Sequence, residues 1–73
     1  MPKDFKRSLT ISGHRTSLSL EPEFWTVLKA AAQEERKSLS ALVAEIDRGR
    51  GERNLSSALR VWVLNRLMRT RAP

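Results

Sequence analysis

The chain contains no cysteine, no tyrosine and a single histidine, His14. Without thiolates it can build neither a disulfide nor a cysteine-ligated zinc site, and one histidine cannot hold a metal alone. Acid–base catalysis needs titratable groups that converge in a pocket, whereas the carboxylates here are scattered over predicted helices. We therefore expect no enzyme, no metal and no cofactor.

Long apolar runs are also missing. No segment approaches the roughly 18 apolar residues that a membrane span requires, and residues 1–7 lack the apolar centre of a signal peptide. We therefore expect a cytoplasmic protein. A chain of 73 residues buries only about 60% of its unfolded surface, so hydrophobic gain and ordering entropy nearly cancel in a monomer. Oligomerisation is the remaining source of stability, which predicts a homodimer.

What the chain has is positive charge, with 14 Lys and Arg against 8 Asp and Glu and a net charge of +6. The charge is concentrated at the ends, because residues 21–47 carry an acidic excess. Most of the cations are arginines, whose planar fork binds two phosphate oxygens or a guanine edge. This pattern favours a polyanionic partner, although a solvated basic surface explains it equally well.

Two short segments alternate polar and apolar residues with the period of a half-buried strand, at residues 8–12 and 15–20. Gly13 and His14 between them suit a type II′ hairpin turn, and a looser connection fits as well. On the second segment, Leu18 and Leu20 share one face, whereas Arg15 and its alternating neighbours share the other. We predict a short β ribbon ahead of a mainly helical chain.

Three helices follow. Pro22 opens the first, which is predicted to fade at residues 34–36, and Ser38 caps a second that ends at residues 48–51. Asn54 or Ser56 caps a third, from about residue 55 to residue 69, with apolar side chains on nearly every face. Such a helix is buried on more than one side, and in so short a chain the second side is predicted to meet another subunit.

The segments Arg-Thr-Ser-Leu-Ser-Leu-Glu-Pro-Glu at residues 15–23 and Lys-Ser-Leu-Ser-Ala-Leu-Val at residues 37–43 resemble the ribbon-helix-helix family of transcription regulators, the group of the Arc and methionine repressors. The whole chain is also similar to small stand-alone bacterial proteins with Gly-His-Arg-Thr-Ser before the ribbon, here residues 13–17, and Asn-Leu-Ser-Ser-Ala-Leu-Arg near the C-terminus, here residues 54–60.

The resemblance implies a ribbon-helix-helix fold with an additional C-terminal helix, in an intertwined homodimer whose two strands pair across subunits. Residues 1–7 would be a flexible basic arm and residues 8–73 the domain. The chain also departs from the family pattern in three respects: Arg36 and Lys37 replace the usual interhelix glycine, so the turn is expected to differ; the second helix stops early, at Gly49; and the C-terminal helix is additional.

The resemblance further implies which residues carry function. The ribbon would present Arg15, Ser17 and Ser19 to DNA bases, with Arg15 reading guanine. The start of the second helix would hold a phosphate. The full set for DNA or another anionic ligand is Arg15, Ser17, Ser19, Lys37, Ser38, Leu39, Ser40, Arg7 and His14. The predicted dimer core is Leu18, Leu20, Phe24, Leu28, Leu42, Val43, Ile46 and Trp62.

These observations predict a homodimeric, sequence-specific regulator of transcription that binds double-stranded DNA. Higher-order assembly on DNA is an open alternative to a single dimer. One alternative is a sensor that binds an anionic nucleotide, such as cyclic di-GMP, on the basic ribbon. Another is an antitoxin-like module whose third helix docks a protein partner.

Overall fold

A computed structural model of the chain describes residues 6–70. Two strands precede three helices, as predicted. The elements are β1 (Lys6–Ile11), β2 (His14–Ser19), α1 (Pro22–Glu34), α2 (Leu39–Arg48) and α3 (Leu55–Thr70). Of the predicted flexible arm, residues 1–5 lie outside the described part, whereas Lys6 and Arg7 form the start of β1. No helix within residues 6–70 is long and apolar enough to span a membrane.

The strands form an antiparallel hairpin within one chain. Its loop is Ser12–Gly13, with φ angles of 53° and 84°, and His14 already pairs with Ile11. Two positive φ angles define a type I′ turn, whose twist matches that of the strands. The predicted type II′ turn at Gly13 and His14 is therefore wrong, because the pairing of His14 places the turn one residue earlier.

Side-chain caps fix the starts of α2 and α3. The backbone N–H of Ala41 donates to Ser38 Oγ at 3.0 Å, which confirms Ser38 as the cap of α2. The backbone N–H of Ser57 donates to Asn54 Oδ1 at 2.8 Å. Asn54, rather than Ser56, is thus the cap of α3, and each bond satisfies a first-turn donor that the helix itself leaves unpaired.

The turn between α1 and α2 is a Schellman motif. Arg36 has a φ of 59°, its N–H donates to Gln33 O at 3.1 Å, and the N–H of Lys37 donates to Ala32 O at 3.0 Å. This left-handed position is the one that glycine usually occupies at a helix end. The chain makes the turn with an arginine in that place.

One hydrophobic core connects the hairpin and the three helices. β1 lies against α2 and β2 lies against α3, where Ser56 Oγ donates to Ser19 O at 3.5 Å. The buried side chains are Ile11, Leu18, Leu20, Trp25, Leu28, Ala31, Ala32, Leu42, Val43, Ile46, Ala58, Leu59 and Val63. Because both strands and all three helices contribute, the inner face of the hairpin is fixed against the helices.

The residues predicted for the dimer core pack together inside a single chain. Six of them are buried: Leu18, Leu20, Leu28, Leu42, Val43 and Ile46. Phe24 and Trp62 are half-buried against the same cluster. Association of two chains therefore remains a prediction.

Candidate nucleic-acid interface

The outer face of the hairpin, which we call the ribbon face, carries six exposed polar side chains. The cross-strand pairs are Lys6 with Ser19, Ser8 with Ser17, and Thr10 with Arg15. The Ser8 and Ser17 hydroxyl oxygens lie 3.4 Å apart. The period of two therefore places Arg15, Ser17 and Ser19 on one outward surface, as predicted, together with three residues of β1.

The ribbon face is cationic. Lys6 and Arg15 lie on it without a carboxylate among the six side chains, and no ion pair of either residue is found within the described part of the chain. Hydroxyl groups both donate and accept hydrogen bonds, whereas guanidinium and ammonium groups only donate. The face can thus offer charged donors to acceptors such as phosphate oxygens and guanine edges.

Arg7 and His14 do not lie on the ribbon face. The register places Arg7 opposite Leu18 and His14 opposite Ile11, so both belong to the face turned toward the helices. The Arg7 guanidinium carbon is 5.4 Å from the centre of the Trp25 ring, within the range of a cation–π contact. Both side chains remain exposed at the margin of that face. The fold therefore places neither Arg7 nor His14 on the same surface as Arg15.

The start of α2 has the form of an anion-binding helix terminus. Ser38 is committed to capping, Leu39 and Ser40 are half-buried, and the first turn carries no acidic residue. The first N–H groups of a helix have no intrahelical acceptor and lie at the positive end of its dipole. A phosphate contact by the backbone of Leu39 and Ser40 stays a prediction.

Lys37, beside this helix start, is engaged with two carboxylates. Its Nζ donates to Glu45 and lies 3.3 Å from Glu35 Oε1. The hydrogen bond with Glu45 is the main cause of a raised pKa of Lys37, and the hydrogen bond from Lys37 is the main cause of a lowered pKa of Glu35. The charge of Lys37 is thus partly neutralised within the protein, where sequence analysis predicted a phosphate contact.

Sequence analysis missed Lys6, Ser8 and Thr10 as members of the outer face. Their alternation with Leu9 and Ile11 was the available signal. The two-residue hairpin loop then fixes which residues of β1 lie opposite those of β2. The family resemblance implied instead that the strand beside β2 in the ribbon comes from another subunit. Here β1 of the same chain takes that position.

The sequence profile of the ribbon-helix-helix domain matches residues 5–67, which span both strands, α1, α2 and most of α3. The chain belongs to the ribbon-helix-helix domain family. Domains of this family are typically DNA-binding regulators and generally dimerise. No curated protein and no solved structure matches the chain. Because the match includes α3 as far as residue 67, the third helix lies largely within the family's domain.

Proposed function

We propose that the protein is a sequence-specific, DNA-binding regulator of transcription that acts as a homodimer in the bacterial cytoplasm. The observation that supports this proposal is the ribbon face, which combines Arg15 and Lys6 with four hydroxyl side chains and has no carboxylate. Membership of a family of DNA-binding domains supports the same function.

The dimensions of the hairpin suit the major groove. Two paired strands lie about 4.8 Å apart, and the major groove, about 12 Å wide, admits a two-stranded ribbon. Arg15 is the residue proposed to read sequence, because a guanidinium can bind guanine O6 and N7 together. The serines and Thr10 discriminate bases more weakly and adjust the fit.

Phosphate contacts would set the position of the ribbon without reading sequence. The backbone at Leu39 and Ser40 is proposed to hold a phosphate beside the groove. The regulator would then act by occlusion or recruitment at an operator whose half-sites are related by two-fold symmetry.

A small anionic nucleotide fits the ribbon face less well than DNA. Nucleotide sites are usually concave and supply rings or apolar walls for the base, whereas none of the six side chains of this face is aromatic. The cyclic dinucleotide alternative therefore has no supporting observation on this surface. We retain DNA as the proposed ligand.

The test compares Arg15→Ala with Arg48→Ala. Both variants lose one positive charge, and Arg48 is exposed in the last turn of α2, at the opposite end of that helix from Ser38. A preferred duplex is first selected from a random pool. Binding of each variant to the preferred and to a random duplex is then titrated at several salt concentrations.

Loss of a guanine contact should cost on the order of 1 to 3 kcal/mol on the preferred duplex and much less on the random one. Arg48→Ala should change the affinity for the preferred duplex and for the random duplex by the same factor. Each phosphate contact that is lost makes the negative slope of log affinity against log salt shallower by about one unit. If Arg15→Ala is folded and binds both duplexes as tightly as the wild-type protein, the ribbon face is refuted as the reading surface.

A further inference from the structure

A cleft of about 560 Å³ lies between α2 and α3 and reaches the turn that joins them. We call it the α2–α3 cleft. Its α3 wall consists of residues 58, 61, 62, 65, 66 and 69, whose spacing places them on one face of the helix. The volume is in the range of sites that hold small molecules. No residue of β1 or β2 lines the cleft, so a ligand there leaves the ribbon face uncovered.

Part of the cleft is apolar and carries an aromatic ring. Leu42, Ile46 and Ala58 line it and belong to the buried core. Trp62 lines the α3 wall and is half-buried. The Arg66 guanidinium carbon lies 5.4 Å from the centre of the Trp62 ring, which makes a cation–π pair. Two planar groups therefore stand together in this wall, and the flat base of a nucleotide stacks on aromatic rings and guanidinium planes.

Ion pairs hold the wall and neutralise the carboxylates of the cleft. Arg66 pairs with Glu34 and Glu35 at the end of α1, and its Nη1 lies 3.1 Å from Glu35 Oε2. Lys37 contacts both Glu35 and Glu45. Glu35 and Glu45 are the two carboxylates that line the cleft. Because both are already engaged by cations of the protein, they repel an incoming anion less than free carboxylates would.

The end of the cleft at the α2–α3 turn offers positive charge. Arg53 lines this end and has no ion pair within residues 6–70. Arg50 Nη1 donates to Arg53 O at 2.7 Å, and the N–H of Arg53 donates to Arg50 O at 3.3 Å, so both arginines belong to one closed turn. Arg50 also pairs with Asp47. Because a guanidinium can bind two phosphate oxygens together, this end of the cleft suits phosphate groups.

Asn65 adds a group that can recognise a base. Its side chain is exposed, lines the cleft one turn after Trp62 and forms no hydrogen bond with another residue of the described part of the chain. A side-chain amide both donates and accepts hydrogen bonds and can pair with N6 and N7 of adenine. Trp62 lies about 10 Å along α3 from Leu55 at the start of the helix, so the ring and Asn65 are separated from Arg53 along the cleft.

We propose that the α2–α3 cleft binds an adenine nucleotide, with the base against Trp62 and Asn65 and the phosphates on Arg53. The proposal does not depend on DNA binding, because the cleft and the ribbon face share no residue. If the protein binds DNA, the nucleotide is an effector held apart from the reading surface.

The first experiment measures the Kd of ATP by isothermal titration calorimetry for wild type, Arg53→Ala and Arg48→Ala. Arg48 is the matched control, since it is exposed near the same turn and carries the same charge but does not line the cleft. Arg53→Ala should raise the Kd about 10-fold or more, because charge-assisted hydrogen bonds to phosphate are lost. Arg48→Ala should stay within about twofold of wild type. Equal Kd values for the two variants would overturn the proposal.

The second experiment tests stacking of the base. Trp62→Leu should raise the Kd of ATP about 5- to 100-fold, the range expected for loss of one stacked base. Trp62→Phe keeps a ring and should retain most of the affinity. Circular dichroism melts confirm that each variant is folded. Equal binding of ATP by the leucine and phenylalanine variants would contradict stacking on this ring and overturn the assigned site.

The third experiment uses partial and altered ligands. Adenosine and inorganic triphosphate should each bind wild type more weakly than ATP, because each reaches only one part of the cleft. CTP should also bind more weakly than ATP, and Asn65→Leu should reduce that difference. Inorganic triphosphate that binds as tightly as ATP would overturn the proposal, since the cleft would then hold any polyanion.

Arg15→Ala separates the cleft from the ribbon face. ATP binding should be unchanged in this variant. An affinity for ATP that falls in Arg15→Ala but not in Arg53→Ala would place the nucleotide on the ribbon and overturn the proposal. A wild-type protein that binds duplex DNA but no ATP would refute the nucleotide site alone, whereas one that binds ATP in the cleft but no duplex would refute only the proposed function.

Discussion

Replacing Arg36 by glycine should stabilise the protein. Arg36 holds the left-handed position of the Schellman turn after α1, with a φ of 59°. A residue with a Cβ atom is disfavoured there by roughly 1 to 2 kcal/mol, because the Cβ atom crowds the following carbonyl oxygen. Glycine removes this cost. It also gives the unfolded chain more freedom, which offsets about 0.4 to 1 kcal/mol of the gain.

The net effect expected of Arg36→Gly is an increase of about 0.5 to 1 kcal/mol in the free energy of unfolding. For a domain of this size, one kcal/mol corresponds to roughly 4 to 8 °C in Tm, so the expected rise is about 2 to 8 °C. The Arg36 side chain is exposed, and its backbone N–H bond to Gln33 O can persist with glycine. Little favourable contact is therefore lost.

Arg36→Ala is the matched control, since it removes the same charge and side chain but keeps the Cβ atom. Urea and thermal unfolding of the three proteins should place Arg36→Gly above both wild type and Arg36→Ala. Equal stability of the glycine and alanine variants would refute the reasoning, because the gain would then come from the lost charge or not exist at all.

Three further predictions concern the strand register, a helix cap and acid stability. Leu18→Asp should abolish folding in circular dichroism melts, because Leu18 is buried in the core, whereas Ser17→Ala on the ribbon face should leave the melt unchanged. Asn54→Ala should lower the free energy of unfolding by about 1 kcal/mol in urea titrations, because α3 loses its cap. The lowered pKa of Glu35, caused first by its hydrogen bond from Lys37, contributes stability that is present above the unfolded pKa and lost as pH falls through the folded pKa. Tm should therefore drop as pH falls below about 4.5, and Glu35→Gln should reduce that drop.

Local signals in the sequence were sufficient for most of the fold. Ser38 and Pro22 predicted the helix starts, because capping and fixed φ act within a few residues. The alternation around Leu18 predicted which face of β2 is buried, since the period of a strand leaves only two choices.

Contacts between distant residues were beyond local patterns. The hydrogen bond from Lys37 to Glu45 depends on the direction in which α2 leaves the turn. The order of charges along the sequence does not specify that direction. The left-handed Arg36 likewise reflects the packing of α1 against α2, which forces a conformation that arginine disfavours by itself. The hairpin turn was misplaced by one residue because Ser12 is an unusual choice for a positive φ.

The pairing of β1 with β2 in one chain has a kinetic consequence. The paired residues are separated by only 3 to 13 positions, from Ile11 and His14 at the turn to Lys6 and Ser19 at the open end. Local hairpins of this kind close in about 1 to 10 μs, with no dependence on protein concentration. A newly synthesised chain can therefore display its ribbon face before it meets a second copy. Low abundance in the cell would delay the proposed dimerisation while leaving the ribbon face already formed.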